Sequence, residues 1–230
     1  LALERREELF EGADGGVENT PEAIDEMVER LARLPVPVLV DATAADEMAP
    51  HYQNAFQAGV HVVAANKKPV TASCETFQTL ERAAEEHHRE FHFETTVGAS
   101  LPVVDTLKNL VRTGDRVHLA EGSLSGTLGY LCNEVMKGVP LSQAVETAHE
   151  LGYTEPRPQD DLSGLDVARK ALILARELGL ELELDDIDVE PVEPQRLIET
   201  QTPRELFEGL RDYDSEFEAY IEGIAQEGKT

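Results

Sequence analysis

The stretch VPVLVDATAADEMAPHYQNAFQAGVHVVAAN, residues 36–66, determines the fold class of this chain. Two of its segments are β-branched and apolar without polar alternation, VPVLVDAT and VHVVAAN. This pattern is typical of strands that are covered on both faces in a parallel sheet. Between them, residues 46–59 have a helical pattern that closes on Gly59. A strand, a helix and a second strand in this order predict a right-handed βαβ unit.

The flanking sequence extends this unit in both directions. Upstream, TPEAIDEMVERLARL (20–34) predicts a helix with Thr20 as N-cap and Pro21 at the first helical position. Downstream, residues 74–89 predict another helix, and EFHFETTVG (90–98) predicts a third strand. We therefore expect an α/β domain with a parallel sheet.

A dinucleotide-binding sheet normally begins with an apolar strand that runs into GxGxxG. This chain has no GxGxxG. The glycine-rich segment EGADGG (11–16) follows a charged helical pattern rather than an apolar strand, so we reject it as a phosphate loop. The chain also ends on AQEGKT without a closing strand. We therefore expect an incomplete Rossmann-like sheet over residues 1–95, in a chain that is cut at both ends.

Residues 96–230 have a different character and predict a second domain of the α+β class. One segment, RVHLAEGSLSG (116–126), is predicted to be a strand. The end of the chain, residues 202–228, predicts one acidic helix or a pair of helices. Four further helices are predicted, over residues 101–114, 127–138, 140–152 and 164–179.

The composition excludes several classes of partner. The formal net charge is -26, from 46 acidic against 20 basic residues, so the mean field repels phosphate backbones and anionic membranes. No apolar run approaches the length of a membrane span. We expect neither nucleic acid nor membrane as a partner. The acids are spread along the chain, which fits the solvated surface of a halophilic protein or an ordinary acidic protein.

The two cysteines, Cys74 and Cys132, are far apart in the sequence and have no CxxC spacing. Such spacing indicates neither a zinc site nor a disulfide framework. A reducing compartment, the cytoplasm, is the expected location.

The segment GYTEPRPQDDLSGLDVARK (152–170) places acids beside a lysine. A helix is predicted from about Ser163 to Leu178, and on it Asp166 and Lys170 are four residues apart and share one face. One interpretation is structural, because Ser163 and Asp166 fit a capping box and the Asp–Lys pair fits a surface ion pair.

The loop before this helix favours a second interpretation, in which the segment binds a ligand. Glu155, Asp160 and Asp161 add negative charge close to the predicted helix start. A ligand with its own ammonium group would neutralise this concentration of acids.

The same segment resembles the signature of homoserine dehydrogenases, NAD(P)-dependent enzymes that interconvert L-aspartate 4-semialdehyde and L-homoserine. Further segments resemble that family in the same order: VLVDAT, HVVAANKKPVTAS, ETTVGASLPV, GSLSGTLGY, LILARELG and LRDYDSEFE. The resemblance implies a cofactor domain followed by a catalytic and dimerisation domain, and a step of threonine and methionine biosynthesis. It leaves open whether an aspartate kinase is attached.

The resemblance implies specific roles in substrate binding and catalysis. Lys170 would be the general acid that protonates the substrate oxygen as hydride arrives, with Asp166 beside it in the catalytic site. Glu155 and Asp166 would bind the ammonium group of the substrate, with Asp161 nearby.

The resemblance also implies contacts with the cofactor, NADP or NAD. The matching positions are Thr43, Lys67 and Gly152, the first two at predicted strand ends. Gly152 would let backbone approach the cofactor closely. For the NKK segment that contains Lys67, a turn with solvated lysines is the alternative.

A monovalent cation, usually sodium, is the last implication of the resemblance. Its ligands would be Glu94 and the carbonyl oxygens of Val97, Ala99 and Leu101. The alternative is that Glu94 and Gly98 only shape a turn between strand and helix.

Two departures from the family qualify these expectations. Arg157 and Gln159 occupy positions where the family commonly has aspartate and arginine. Because GxGxxG is missing, we expect weak cofactor binding by the chain as given, and its preference between NADP and NAD cannot be read from the sequence.

Two other functions stay open, a non-catalytic binding or assembly module and another two-domain dehydrogenase for an amino-acid aldehyde. A homodimer is expected by analogy with the family alone.

Overall fold

The computed structural model describes residues 20–155, 157–192 and 194–226. The EGADGG segment (11–16) lies outside these residues. The chain divides into two compact units between Phe93 and Glu94. No helix in the described part combines the length and the apolar character needed to cross a membrane.

The first unit contains the predicted βαβ units. Its strands form a three-stranded parallel sheet in the order β1-β2-β3. Thr20 caps the first helix as predicted, since its hydroxyl oxygen accepts the Ala23 N–H at 3.3 Å, and Pro21 begins that helix. The elements are α1 (Pro21–Leu31), β1 (Val38–Asp41), α2 (Ala49–Gln57), β2 (His61–Ala64), α3 (Cys74–Glu86) and β3 (Phe91–His92).

Strand β1 differs from its prediction, because it is buried on one face rather than on both. Leu39 and Asp41 are buried, whereas Val38 and Val40 are exposed, Val40 by 67%. In the described residues, therefore, helices cover only one face of this strand. An apolar run predicts the strand correctly, but it does not tell whether a second layer of helices is present.

Strand β3 is shorter than predicted, and aromatic packing holds it. The Phe91 ring packs against Phe56 at 5.5 Å and against Phe93 at 4.9 Å between ring centroids. After His92 the chain turns into a 3₁₀ helix at Glu94–Thr96, so the predicted strand over residues 90–98 ends early.

The second unit is helical in its described residues. Four predicted helices are confirmed, and the predicted C-terminal segment forms one continuous helix rather than a pair. Two short helices, Pro158–Leu162 and Gln195–Ile198, were not predicted. The elements are α4 (Val103–Arg112), α5 (Gly126–Met136), α6 (Leu141–Glu150), α7 (Pro158–Leu162), α8 (Leu165–Glu177), α9 (Gln195–Ile198) and α10 (Pro203–Gln226).

The strand predicted over RVHLAEGSLSG is wrong. Residues 115–125 have neither helical nor strand hydrogen bonding, and Leu119 is 75% exposed. A strand requires a neighbouring strand for its backbone groups, and the described residues of this unit contain none. The α+β character expected for the second domain is therefore not present in that part of the chain.

The core of the second unit supports the short helix α7. Leu162 at the end of α7 is buried in a cluster with Leu141 and Val145 from α6 and Leu206 and Leu210 from α10. The segment that carries the predicted acids therefore borders the core of this unit.

Both cysteines are free thiols, and Cys132 is exposed. Neither cysteine is part of a disulfide within the described residues.

Candidate active site

A buried carboxylate organises the loops that follow β1 and β2. Asp41, the last residue of β1, is 2% exposed. Its Oδ1 accepts the Thr43 N–H at 2.8 Å, and its Oδ2 accepts the Tyr52 hydroxyl at 2.5 Å. The buried Asn66 donates to Asp41 Oδ2 at 3.1 Å and to the Ala45 carbonyl at 2.8 Å. One carboxylate and one amide therefore fix two neighbouring loops together.

Opposing effects act on the titration of Asp41. Burial raises the pKa of this carboxyl, but hydrogen bonds from Tyr52, Thr43 and Asn66 stabilise the charged form and hold the pKa below its ordinary value. Burial and the neighbouring Asp41 raise the pKa of the Tyr52 hydroxyl. Asp41 is therefore a charged carboxylate, and both of its oxygens already accept hydrogen bonds from other residues of the chain.

The two cofactor positions predicted in this unit, Thr43 and Lys67, lie in these loops. Thr43 is exposed, and its hydroxyl oxygen accepts the Ala45 N–H at 3.2 Å. The carbonyl of Lys67 accepts both the N–H and the hydroxyl of Thr71 at 2.9 Å. Because β1 and β2 are parallel neighbours, both loops leave the same edge of the sheet, where open α/β sheets bind ligands. An exposed hydroxyl and a partly exposed lysine therefore lie at the edge where such sheets bind ligands.

Sequence reasoning missed Asp41 and Asn66 as the residues that fix this edge. Both lie within longer motifs, Asp41 in VLVDAT and Asn66 in HVVAANKKPVTAS. The available signal was a charged residue closing an otherwise apolar strand, since a buried charge requires partners. Which residues supply those partners depends on the fold, because Asn66 is 25 residues away in the sequence.

The helix that carries Asp166 and Lys170 begins later than predicted, and the proposed capping box is absent. Helix α8 starts at Leu165, and its N-cap is Gly164 with φ of 74°, without a side-chain cap. The Ser163 hydroxyl instead donates to the Asp160 carbonyl at 2.9 Å and accepts the Leu165 N–H at 3.3 Å. The unpredicted α7 ends at Leu162, so Ser163 lies in the turn between two helices.

Lys170 and Asp166 are in direct contact, as their spacing predicted. The Lys170 Nζ is 2.6 Å from Asp166 Oδ2 and donates to the Leu124 carbonyl at 2.6 Å. The side chain of Lys170 is 15% exposed and that of Asp166 is 45% exposed. An ammonium group has three N–H donors, and among the described residues two of them have partners. The third is available to a ligand.

Glu155 is held through its backbone, while its carboxylate has no hydrogen-bond partner among the described residues. The Glu155 N–H donates to Asp161 Oδ2 at 2.7 Å. The other oxygen of Asp161 is 3.0 Å from the Thr127 hydroxyl, which is also 2.7 Å from the Tyr153 carbonyl. Asp161 therefore shapes the loop that carries the exposed Glu155.

The two parts of the predicted substrate site meet at the start of α5. Lys170 donates to the carbonyl of Leu124, and Asp161 contacts the hydroxyl of Thr127, three residues further along the chain. The pairs Lys170–Asp166 and Asp161–Glu155 are thus attached to one short segment. The arrangement offers carboxylates and one ammonium donor to a small polar molecule.

The conformation of Gly152 gives a reason for glycine at this position besides the predicted approach to the cofactor. Its φ is 71°, in the left-handed region that favours glycine. A Cβ at this position would meet no atom within 4 Å in the described residues, so the backbone conformation, rather than crowding within this chain, requires glycine.

Glu94 caps a helix in this structure. Its Oε1 accepts the Val104 N–H at 2.9 Å and its Oε2 accepts the Asp105 N–H at 2.7 Å, both at the start of α4. The carbonyl of Leu101, another predicted cation ligand, accepts the Val103 N–H at 2.9 Å. This geometry fits the alternative turn interpretation better than a cation site.

Two family models match the chain. The model described as "Homoserine dehydrogenase" matches residues 102–230. The model described as "Homoserine dehydrogenase, NAD binding domain" matches residues 3–94.

Curated relatives carry the same description. A bifunctional aspartokinase/homoserine dehydrogenase of Haemophilus influenzae is 43% identical over 84% of this chain and 24% of its own length. A homoserine dehydrogenase of Schizosaccharomyces pombe is 38% identical over 90% of this chain and 57% of its own length. The chain therefore spans about a quarter of the first relative and just over half of the second.

Solved structures are similar as well. A Candida auris protein of unknown function has a TM-score of 0.85 and 30% identity, over 99% of this chain and 63% of that one. A hyperthermophilic archaeal homoserine dehydrogenase in complex with NADPH has a TM-score of 0.58 and 26% identity, over 76% of this chain and 54% of that one.

Proposed function

The chain belongs to the homoserine dehydrogenase family, and on this premise we propose that it carries the substrate site of an NAD(P)-dependent reduction of L-aspartate 4-semialdehyde to L-homoserine. The observation that carries the proposal is the contact of the Lys170 amine with Asp166 and Leu124, attached to the same short segment as the Asp161–Glu155 pair.

The acids in this proposal bind the amino group of the substrate. The carboxylate of Glu155 is exposed and has no hydrogen-bond partner among the described residues, so it has its full capacity for an ammonium ion. Asp166, 45% exposed, contributes a second carboxylate. Asp161 acts indirectly, since its two oxygens hold Thr127 and the Glu155 backbone. Charge-assisted hydrogen bonds of this kind are about twice as strong as neutral ones.

Lys170 moves the proton in this proposal. The Nζ has an N–H that no described residue uses, and this group donates a proton to the aldehyde oxygen as the carbonyl carbon is reduced. The aldehyde thereby gains a hydride and a proton and becomes the alcohol. In the reverse direction the neutral amine accepts the hydroxyl proton. Asp166 and the Leu124 carbonyl orient the amine throughout.

A nicotinamide cofactor supplies the hydride when bound, and we propose that Thr43, Lys67 and Gly152 hold it. Support comes from the loops after β1 and β2, which the Asp41–Asn66 hydrogen bond joins at the carboxyl edge of the sheet. The NADPH complex of the similar archaeal enzyme supports a nicotinamide cofactor as such. Either NADP or NAD agrees with these residues.

Several wider features belong to the same proposal. We propose residues 1–95 as the cofactor domain and 96–230 as the substrate domain, a boundary two residues from the division between the compact units. A homodimer and a role in threonine and methionine biosynthesis follow from the family alone.

We also propose the cytoplasm as the location, because cysteines outside disulfides are typical of a reducing compartment. No step is assigned to a monovalent cation, because Glu94 caps α4 with both oxygens.

The net charge of -26 supports a salt-adapted surface as part of this proposal. If the acids are adapted to a high-salt environment, the melting temperature should rise steeply from low to molar KCl. A flat melting temperature over that range would remove this part of the proposal and leave the enzymatic part intact.

The main test is an assay of the intact gene product that contains these 230 residues. Oxidation of NADPH and NADH is followed with L-aspartate 4-semialdehyde and, as a matched control, with succinate semialdehyde, which lacks the amino group. We expect turnover of the first and a kcat/KM lower by about tenfold or more for the second, since it loses a charge-assisted hydrogen bond. Absence of turnover with both cofactors contradicts the proposal. Equal kcat/KM values contradict the role given to the acids.

A further inference from the structure

Helix α7 presents two different surfaces. Gln159 and Leu162 are each 1% exposed and point into the core of the second unit, whereas Asp160 is exposed and Asp161 is half-buried. The helix has five residues, and an isolated helix of this length has no stability of its own. Neighbouring segments must therefore fix its position.

The amide of Gln159 makes one such connection. Its Nε2 is 3.2 Å from the Thr200 carbonyl, 3.1 Å from the Thr200 hydroxyl and 3.3 Å from the Thr202 carbonyl. The Thr200 hydroxyl donates to the Leu197 carbonyl at 2.6 Å, so its oxygen is free to accept from Gln159. All three acceptors lie in the turn between α9 and α10. Gln159 thus fastens α7 to the start of the long helix α10.

The other end of this amide is a cost to stability. Gln159 Oε1 is buried and has no hydrogen-bond partner in the part of the chain that the structure describes. An unpartnered buried acceptor loses its hydrogen bonds to water, a cost that an apolar side chain of the same size would avoid. Burial of the hydrophobic core alone therefore does not explain a glutamine here. The directional hydrogen bonds of Nε2 explain the glutamine, because they specify one position of α7.

Asp161 links the position of α7 to that of Glu155, the acid proposed to bind the ammonium group of the substrate. This residue, two positions after Gln159, accepts the Glu155 N–H with one oxygen and contacts the Thr127 hydroxyl with the other. A displacement of α7 would therefore release the backbone of Glu155. Lys170 would keep its place, since it is held by Asp166 and Leu124, neither of which lies on α7.

We propose that Gln159 is a positioning residue, which fixes α7 and thereby the Glu155 loop for recognition of the substrate's ammonium group. The positional part stands on the hydrogen bonds alone. The part that concerns the ammonium group rests on the proposed function. The two parts need separate measurements so that failure of one can be distinguished from failure of the other.

The test variant is Gln159→Met, which keeps the length of the side chain and removes its hydrogen bonds. Its control is Val145→Ala, a truncation in the same core at a residue with 0% exposure and no role in the site. Amide exchange of Glu155 is measured by NMR in both variants, at conditions where their global stabilities match. We expect exchange to be faster by about tenfold in Gln159→Met, the equivalent of one net hydrogen bond, and unchanged in Val145→Ala.

The second measurement is the steady-state kinetics of L-homoserine oxidation. Gln159→Met should raise KM by about tenfold with kcat within about twofold, because Glu155 is displaced and Lys170 is not. Gln159→Asn, which retains a shorter amide, should recover part of the loss in KM. Val145→Ala should leave both constants unchanged.

The outcomes separate the two proposals. Equal exchange at Glu155 in both variants would mean that Gln159 acts only on global stability, and the inference would fail. Faster exchange together with a wild-type protein that does not turn over L-homoserine would sustain the positional role and reject the proposed function. A fall in kcat without a change in KM would contradict the route through Glu155.

Discussion

Asp41 and Glu155 are both carboxylates beside a loop of a candidate site, but their surroundings are opposite. Asp41 is 2% exposed and accepts hydrogen bonds from Thr43, Tyr52 and Asn66. Glu155 is exposed, and within the described residues its carboxylate accepts none. A carboxylate whose capacity is used by its own chain shapes the fold, and one with unused capacity is available to a ligand. The difference separates structural from binding roles more clearly than residue type does.

Replacement of Lys170 by methionine should have the largest effect on the binding side of this comparison. The variant keeps the length of the side chain but cannot transfer a proton, so kcat should fall by about 10²–10⁴-fold. The measurement is kcat for L-homoserine oxidation at saturating substrate, with the melting temperature recorded alongside.

Lys137 provides the matched control for this variant. It forms an ion pair with Glu134 at 2.6 Å, the distance of the Lys170–Asp166 pair, but its side chain is 64% exposed and remote from the proposed roles. Lys137→Met should leave kcat unchanged. A comparable loss of kcat in both variants would mean that removal of a lysine charge, and not proton transfer, explains the effect.

Asp41→Asn should have the largest effect on the structural side. An asparagine has one acceptor oxygen where the carboxylate has two, so donors from Tyr52 or Asn66 would face an NH₂ group. We expect the free energy of unfolding to fall by about 2–3 kcal/mol, as for loss of a buried hydrogen bond to a charged group. Urea unfolding at pH 7 measures it. A change below about 0.5 kcal/mol, the size usual for surface sites, would contradict the structural role of Asp41.

The titration of Asp41 gives this prediction a pH dependence of known sign. Its pKa in the folded protein is lowered relative to the ordinary value. The carboxylate therefore contributes stability above its unfolded pKa of about 3.9, and this contribution is lost as the pH falls through the folded pKa. Asp41→Asn should remove this component of the acid destabilisation. Tyr52→Phe, which deletes one donor, should remove part of it.

Glu155→Gln should reverse the pattern of Asp41→Asn. Because the Glu155 carboxylate has no intramolecular partner in the described residues, the free energy of unfolding should change by less than about 0.5 kcal/mol. Loss of its charge should raise KM for L-homoserine by about tenfold, since one charge-assisted hydrogen bond to the ammonium group is weakened. Steady-state kinetics and urea unfolding of the same preparation test both halves. A stability loss as large as that of Asp41→Asn would abolish the distinction between the two carboxylates.

The sequence was sufficient for features that depend on neighbours along the chain. The βαβ order, the Thr20 cap and the contact between Asp166 and Lys170 were all predicted, because each follows from a local spacing. The contacts of Asp41 with Asn66 and of Gln159 with Thr200 were not, since they join residues 25 and 41 positions apart. Composition and periodicity contain no information on such pairs.

The wrong predictions have a related cause. The RVHLAEGSLSG segment has the composition of a strand, but a strand exists only where a neighbour supplies its hydrogen bonds. The capping box at Ser163 fitted a helix that continues from that residue, whereas Gly164 with φ of 74° interrupts it. In both cases the local pattern was compatible with the prediction, and the tertiary surroundings selected another structure.

Glu94 is the carboxylate between these extremes, and we expect its replacement by glutamine to have a small effect on stability and none on catalysis. The change removes one acceptor at the start of α4 and the favourable charge near the helix N-terminus, which together stabilise by about 1 kcal/mol. Glu205→Gln is the matched control, because Glu205 also accepts two backbone N–H groups at a helix start, from Gln201 and Thr202 just before α10. Both variants should lose similar stability, and exchange of sodium for choline at constant ionic strength should leave the wild-type melting temperature unchanged. A sodium-specific stabilisation that Glu94→Gln abolishes and Glu205→Gln retains would instead assign Glu94 to a cation, and would move it from the structural to the binding side of the comparison.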